Sequence, residues 1–132
     1  MNLTEKLLKI DTAKINYVKV KHFRSDRLTE LLGADEPVYV TIQELSPERI
    51  NSLMSGKDME DPADSYEINS LICCDAITDP NVKDPDLAKT FKCSTPQKLV
   101  KKLFGYECAA IANIVLDMAG LTEDPESKVK NS

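Results

Sequence analysis

Apolar residues recur along this chain in two periods, and the change of period divides it. Leu3, Leu7 and Ile10 fall on one side of a short predicted helix running from Leu3 to Ile10. Tyr17 to Phe23 alternates Val18 and Val20 with Lys19 and Lys21, the period of a half-buried strand. Arg27 to Leu32 reads as one or two helical turns, stopped by Gly33. Val38 to Leu45 alternates again, with Val38, Val40 and Ile42 inward and Tyr39, Thr41 and Gln43 outward. The two strands are expected to pair antiparallel across the small helical insert. A lone two-stranded ribbon is only marginally stable, so it has to rest on helices.

Helical spacing dominates the remainder. Pro47 to Ser55 carries Ile50, Leu53 and Met54 at i, i+3 and i+4, and Gly56 to Pro62 is a polar, acidic loop. Asp64 to Thr78 is predicted as a longer helix with Asp64 as N-cap and Glu67 as its reciprocal partner. Its expected apolar face is Ile68, Leu71, Ile72 and Ala76. Asp79 to Lys83 reads as a turn and Pro85 to Phe91 as a short helix. Pro96 to Phe104 shows Leu99, Val100, Leu103 and Phe104, and Tyr106 to Ala119 shows Ile111, Ile114, Val115 and Met118. Punctuation agrees with this reading. Gly33, Gly56, Gly105 and Gly120 each follow a helix-like stretch, where a residue without Cβ enters the left-handed conformation most easily. Ser46-Pro47, Asp84-Pro85 and Thr95-Pro96 each place a capping side chain before a proline suited to the first helical position.

The expected fold class is therefore α+β, predominantly helical, with a small antiparallel two-stranded β element packed against about five to six short helices. A chain of 132 residues is expected to form one domain. Residues 1–121 are assigned to it. Residues 122–132, with Val129 as the lone aliphatic side chain, are expected to form a disordered tail.

Composition narrows the function classes. Apolar residues make up 42% and charged residues 30%, which are globular proportions. The apolar run from Cys108 to Val115 is interrupted by Asn113, far short of the ~20 residues that span a bilayer. The start of the chain lacks the basic and apolar regions of a signal peptide, so a cytoplasmic protein with free thiols at Cys73, Cys74, Cys93 and Cys108 is expected. Charge is uneven within a net of -5. Residues 1–27 carry seven Lys/Arg against three Asp/Glu, residues 28–91 four against fourteen, and residues 92–132 six against five. An acidic middle disfavours nucleic acid and suits solubility or a basic or apolar protein partner.

No motif supplies chemistry. Cys73 and Cys74 are adjacent, so on a helix they point about 100° apart, and they do not form a Cys-x-x-Cys unit. His22, on a predicted strand, is the one histidine. There is no Gly-rich phosphate loop, no Gly-x-Ser-x-Gly and no His-Glu-x-x-His. The carboxylate pairs Glu60/Asp61 and Asp84/Asp86 fall in predicted loops or caps, which argues against an acid–base role for them. No catalytic residue, metal ligand, cofactor site or membrane segment is expected. Several amphipathic helices in a short chain can leave an apolar stripe uncovered, which marks a protein-binding site.

The order of elements resembles the XkdN-like tail assembly chaperones of long-tailed phages. LTEKLLKID leads to YVKVKHF, then RLTELLG, then PVYVTIQELSPERINSL. SYEINSLICCDAITDPNVKDPDLAKTF follows, then TPQKLVKKLF, GYECAAIANIVLDMAGL and the ending KVKNS. Gly105-Tyr106-Glu107 stands where the family often has Pro-Gly-Glu. The resemblance spans residues 3–131 and rests on the ordered set rather than on one motif. It implies a non-catalytic assembly factor that coats the tape measure protein, keeps it soluble while the tail tube forms, and is absent from the mature tail. It also brings in the tail tube protein, a frameshifted longer form of the chain and a homo-oligomer as candidate partners. The shift would fall near Lys130-Asn131. The bacterial host cytoplasm is the expected location. The two C-terminal helices, through Leu99, Leu103, Ile111 and Met118, are the expected protein-binding surface. The alternative function is a small intracellular regulatory or adaptor protein that binds another protein through the same helical surface.

Overall fold

The computed structural model describes residues 2–122. Their order is α1 (Leu3–Leu8), a 3-10 helix (Thr12–Asn16), β1 (Val20–Ser25), α2 (Asp26–Leu31), β2 (Val38–Gln43), α3 (Pro47–Met54), α4 (Pro62–Ala76), β3 (Ile77–Asp79), α5 (Pro85–Thr90), α6 (Pro96–Phe104) and α7 (Glu107–Met118). The fold is α+β, with seven α-helices among the described residues. The sheet has three strands in the order β1-β2-β3, both pairs antiparallel, where the sequence pattern predicts two strands. The expected tail lies, from residue 123, outside the described residues.

The caps form as the sequence implies. Ser46, Asp84 and Thr95 each accept a backbone N–H from the following turn, and a proline sits in each first turn. All four glycines have positive φ. Helix α4 differs at both ends. Its N-cap is Asp61, which accepts the Ala63 N–H at 2.9 Å ahead of Pro62 at the helix start. The carboxylate expected to cap there, Asp64, turns back to accept the Asp58 N–H at 3.0 Å. At the other end Ile77 leaves the helix with extended backbone and pairs with Ile42, forming β3. Burial decides this end: β-branched Ile77 packs against the sheet rather than continuing the helix.

The core lies between the sheet and the long helices. Helix α4 packs against both α6 and α7, and α3 packs against α4. Val40 and Ile42 from β2 meet Ile50, Ile68, Ile72, Leu99, Phe104 and Ile111 with no exposed surface. The inward set predicted for β2 is therefore right. For β1 the predicted phase is one residue off. Strand β1 begins at Val20, not Tyr17, and Val18 and Val20 are exposed. Phe23 and Ser25 face inward instead, opposite Val40 and Val38. A slip of one residue turns every side chain of a strand to its other face.

Candidate protein-binding surface

Among the described residues no cluster of three His, Cys, Asp or Glu side chains is placed to hold a metal ion. No described helix is long and apolar enough to cross a membrane. Cys73, Cys74 and Cys108 are buried and free, and Cys93 is half-buried and free. The Cys73 thiol donates to the Cys108 carbonyl at 3.4 Å. Contact with the Cys108 thiol, together with burial, holds the Cys73 thiol far above its ordinary value. Burial, reinforced by the nearby Asp75 carboxylate, pushes Cys74 up to about 12. These are neutral, packed thiols. His22 lies on the exposed outer face of β1, with Nδ1 3.3 Å from the Thr41 hydroxyl.

The four residues expected to bind a partner separate into two pairs. Leu99 and Ile111 have no exposed surface and belong to the core. They cannot meet a partner while the fold is closed. Leu103 is also buried, with 6% of its surface exposed, but it borders a cavity of about 290 Å³ with Arg27, Glu30, Leu31 and Lys102. Met118 is half-buried. It lines a cavity of about 440 Å³ together with Val18, Leu45, Pro47 and Ala119, where the end of α7 meets the β2–α3 connection.

Among the described residues the most exposed aliphatic side chains lie elsewhere, in the segment before β1. Helix α1 has no buried residue. Leu3 is 75% exposed, Leu8 81% and Ile15 76%, and Leu7, Ile10 and Tyr17 are exposed with them. Among the described residues, the hydrogen bonds of this arm stay within it as far as Tyr17. Asn2 caps the Glu5 N–H at 2.9 Å, Asp11 caps the Ala13 N–H at 3.0 Å, and the Tyr17 N–H reaches the Lys14 carbonyl. Among the described residues the first hydrogen bonds to the body are at Lys19, whose N–H donates to Glu44 Oε1 at 3.1 Å and whose carbonyl accepts the Glu44 N–H. Leucine spacing in α1 was legible in the sequence. That no core receives those leucines was not.

A buried carboxylate holds the opposite end of β1. Glu107, the first residue of α7, is 4% exposed. It accepts the Ser25 hydroxyl at 2.7 Å, the Asp26 N–H at 3.0 Å and the Arg27 N–H at 3.4 Å. Ser25 in turn accepts the Leu28 N–H at 3.1 Å as the N-cap of α2. A helix N-terminus presents free N–H groups and the positive end of the macrodipole, so a buried anion is satisfied there. Arg27 completes the junction. It donates to the Leu103 and Lys102 carbonyls at 3.2 Å each, and its guanidinium lies 5.7 Å from the Tyr106 ring centre. Gly105 lets the guanidinium come this close, because a Cβ there would sit 2.9 Å from Arg27 Cζ, and its φ is +52°. The junction fixes α2 and the exposed Leu31 and Leu32 beyond it.

A family model described as phage XkdN-like tail assembly chaperone protein matches residues 4–131. The chain belongs to this family. Membership covers the arm, the three-stranded sheet and the helices alike. A crystal structure of the protein yqbn has the same fold, with a TM-score of 0.54 at 18% sequence identity, over 77% of this chain and 87% of that one. A search of curated proteins finds no match. In this family member Gly105-Tyr106-Glu107 is the junction just described: the glycine admits Arg27, the tyrosine stacks on it, and the glutamate caps α2.

Proposed function

We propose that the chain is a non-catalytic chaperone that binds the tape measure protein, keeps it soluble while the tail tube assembles, and is absent from the mature tail. It acts in the cytoplasm of the bacterial host. The observation that carries this reading is the family match over residues 4–131. Two physical features support it. The chain is acidic overall, which keeps a carrier soluble while it holds an aggregation-prone client. It also presents an apolar notch where α7 ends, bordered by Met118, Leu45 and Val18. A notch of that size takes one or two client side chains, giving a weak contact that many copies along a long client convert into firm but reversible holding.

Co-expression with the tape measure protein of the same tail tests the reading. The expected result is that the client becomes soluble and co-purifies with several copies of the chain. Replacing Met118 with Glu should remove the client from the pull-down while the circular dichroism spectrum stays unchanged. A client that remains insoluble beside abundant, folded chain overturns the reading.

A further inference from the structure

The notch at the end of α7 has an apolar floor and an acidic rim. Val18, Leu45, Pro47, Met118 and Ala119 supply the floor, and Glu44 lines it with them. Two exposed carboxylates stand one residue from that lining, Glu48 beside Pro47 and Asp117 beside Met118. Lys19, beside Val18, is the one cation equally near in sequence. Among the described residues none of the three acids enters a salt bridge.

Two of these carboxylates are held in place. Glu44 Oε1 accepts the Lys19 N–H at 3.1 Å, and Asp117 Oδ1 accepts the Thr122 hydroxyl at 2.8 Å. The facing wall is fixed too, because Ser46 caps α3 by accepting the Arg49 N–H at 3.1 Å. An apolar floor favours a side chain that leaves water. A Lys or Arg beside that side chain meets the fixed carboxylates, whereas an acid there is repelled, and rim charges of this kind set specificity more than raw affinity. Met118 adds latitude, since an unbranched thioether adapts to partners of different shape.

We infer, resting on the function proposed above, that the notch takes a large aliphatic side chain of the client with a Lys or Arg next to it, and rejects segments with an acid in that place. Glu44, Glu48 and Asp117 select the segment, and Met118 and Leu45 grip it. The client is held wherever its sequence repeats this pairing.

Exchange into the complex tests this. Complexes of the wild-type chain with the tape measure protein are immobilised through the client, and tagged chain is added at rising concentration. Glu44→Gln/Glu48→Gln/Asp117→Asn keeps the hydrogen-bond acceptors and removes three charges. At low salt it should need about tenfold more protein than wild type for half-exchange, and at high salt the two should converge. Asp58→Asn/Glu60→Gln/Asp86→Asn removes as much charge from beyond the far end of α3 and from α5, and should exchange like wild type. Should the rim variant not fold, Glu48→Gln on the exposed first turn of α3 serves alone, with a smaller loss in the same direction. A folded rim variant that exchanges like wild type, or an equal loss in both triple variants, overturns the inference and leaves the chaperone reading standing. A wild-type chain that holds no client overturns both. Tighter exchange by Val129→Asp would assign the notch to the chain's own Lys128-Val129-Lys130, which has the matching chemistry. A rim variant with unchanged client exchange but a lower mass by light scattering would assign it to a second copy. Either result also overturns the inference.

Discussion

The arm and the body use the same aliphatic side chains to opposite ends. In the body, Leu99, Ile68 and Ile111 lose all contact with water. In the arm, Leu3, Leu7, Leu8 and Ile15 keep most of theirs. Full burial of such a side chain contributes about 1.5–3 kcal/mol, and the arm gains only a part of it within one chain. The body also leaves no described buried side-chain polar atom without a hydrogen-bond partner. The body thus closes around its own core, and the leucines of the arm lie outside it. Hydrophobic spacing states that a face exists; it does not say which molecule covers it.

The sharpest way to break the comparison is to remove a core side chain. Phe104 has no exposed surface at the α6 end. Phe104→Ala should cost about 3–5 kcal/mol, read as a lower urea midpoint. Glu107→Ala comes next. It strips the acceptor from the Ser25 hydroxyl and two backbone N–H groups, and an orphaned buried donor costs about 1–3 kcal/mol. Urea unfolding should show that loss, and Glu107→Gln should recover part of it.

A smaller effect belongs to the Glu67–Lys101 pair at 2.9 Å, which is partly exposed. Glu67→Gln should cost about 0.2–1 kcal/mol near neutrality. The hydrogen bond from Lys101, helped by Gln97, lowers the Glu67 pKa. A lowered folded value means the stabilisation is present above the ordinary glutamate range and is lost as pH falls through the folded value. The gap between wild type and variant should therefore close in acid, as urea titrations at neutral and acid pH would show. Least of all should the arm matter to stability: Leu7→Glu/Leu8→Glu should shift it by no more than about 0.5 kcal/mol. If that variant unfolds the body, the arm belongs to the core and the contrast fails.

Much of the fold was legible because its signals are local. Capping by Ser46, Asp84 and Thr95 needs a side chain and the next three residues, all adjacent in sequence. Positive φ at the four glycines is likewise a property of single positions. The inward set of β2 shows in its own alternation. Strand β1 was harder: valines alternating with lysines suggested the wrong phase, because Ser25 is drawn inward by Glu107, a residue 82 positions away. Strand β3 was missed because three residues offer no alternation to read, and its existence depends on Ile42 being opposite. The candidate site suffered in the same way. The C-terminal helices show helical apolar spacing because they are core helices, so Leu99 and Ile111 are covered.

By itself the sequence determined most of the helix starts and stops, the α+β class, the charge division between a basic beginning and an acidic middle, and the family resemblance. Each of these depends on residue type and on neighbours within a few positions. Only the tertiary structure decided which apolar faces are buried, that a third strand joins the sheet, that Glu107 is sealed against α2, and that α1 is left uncovered. Those outcomes depend on which distant surfaces meet, and a one-dimensional pattern does not carry that information.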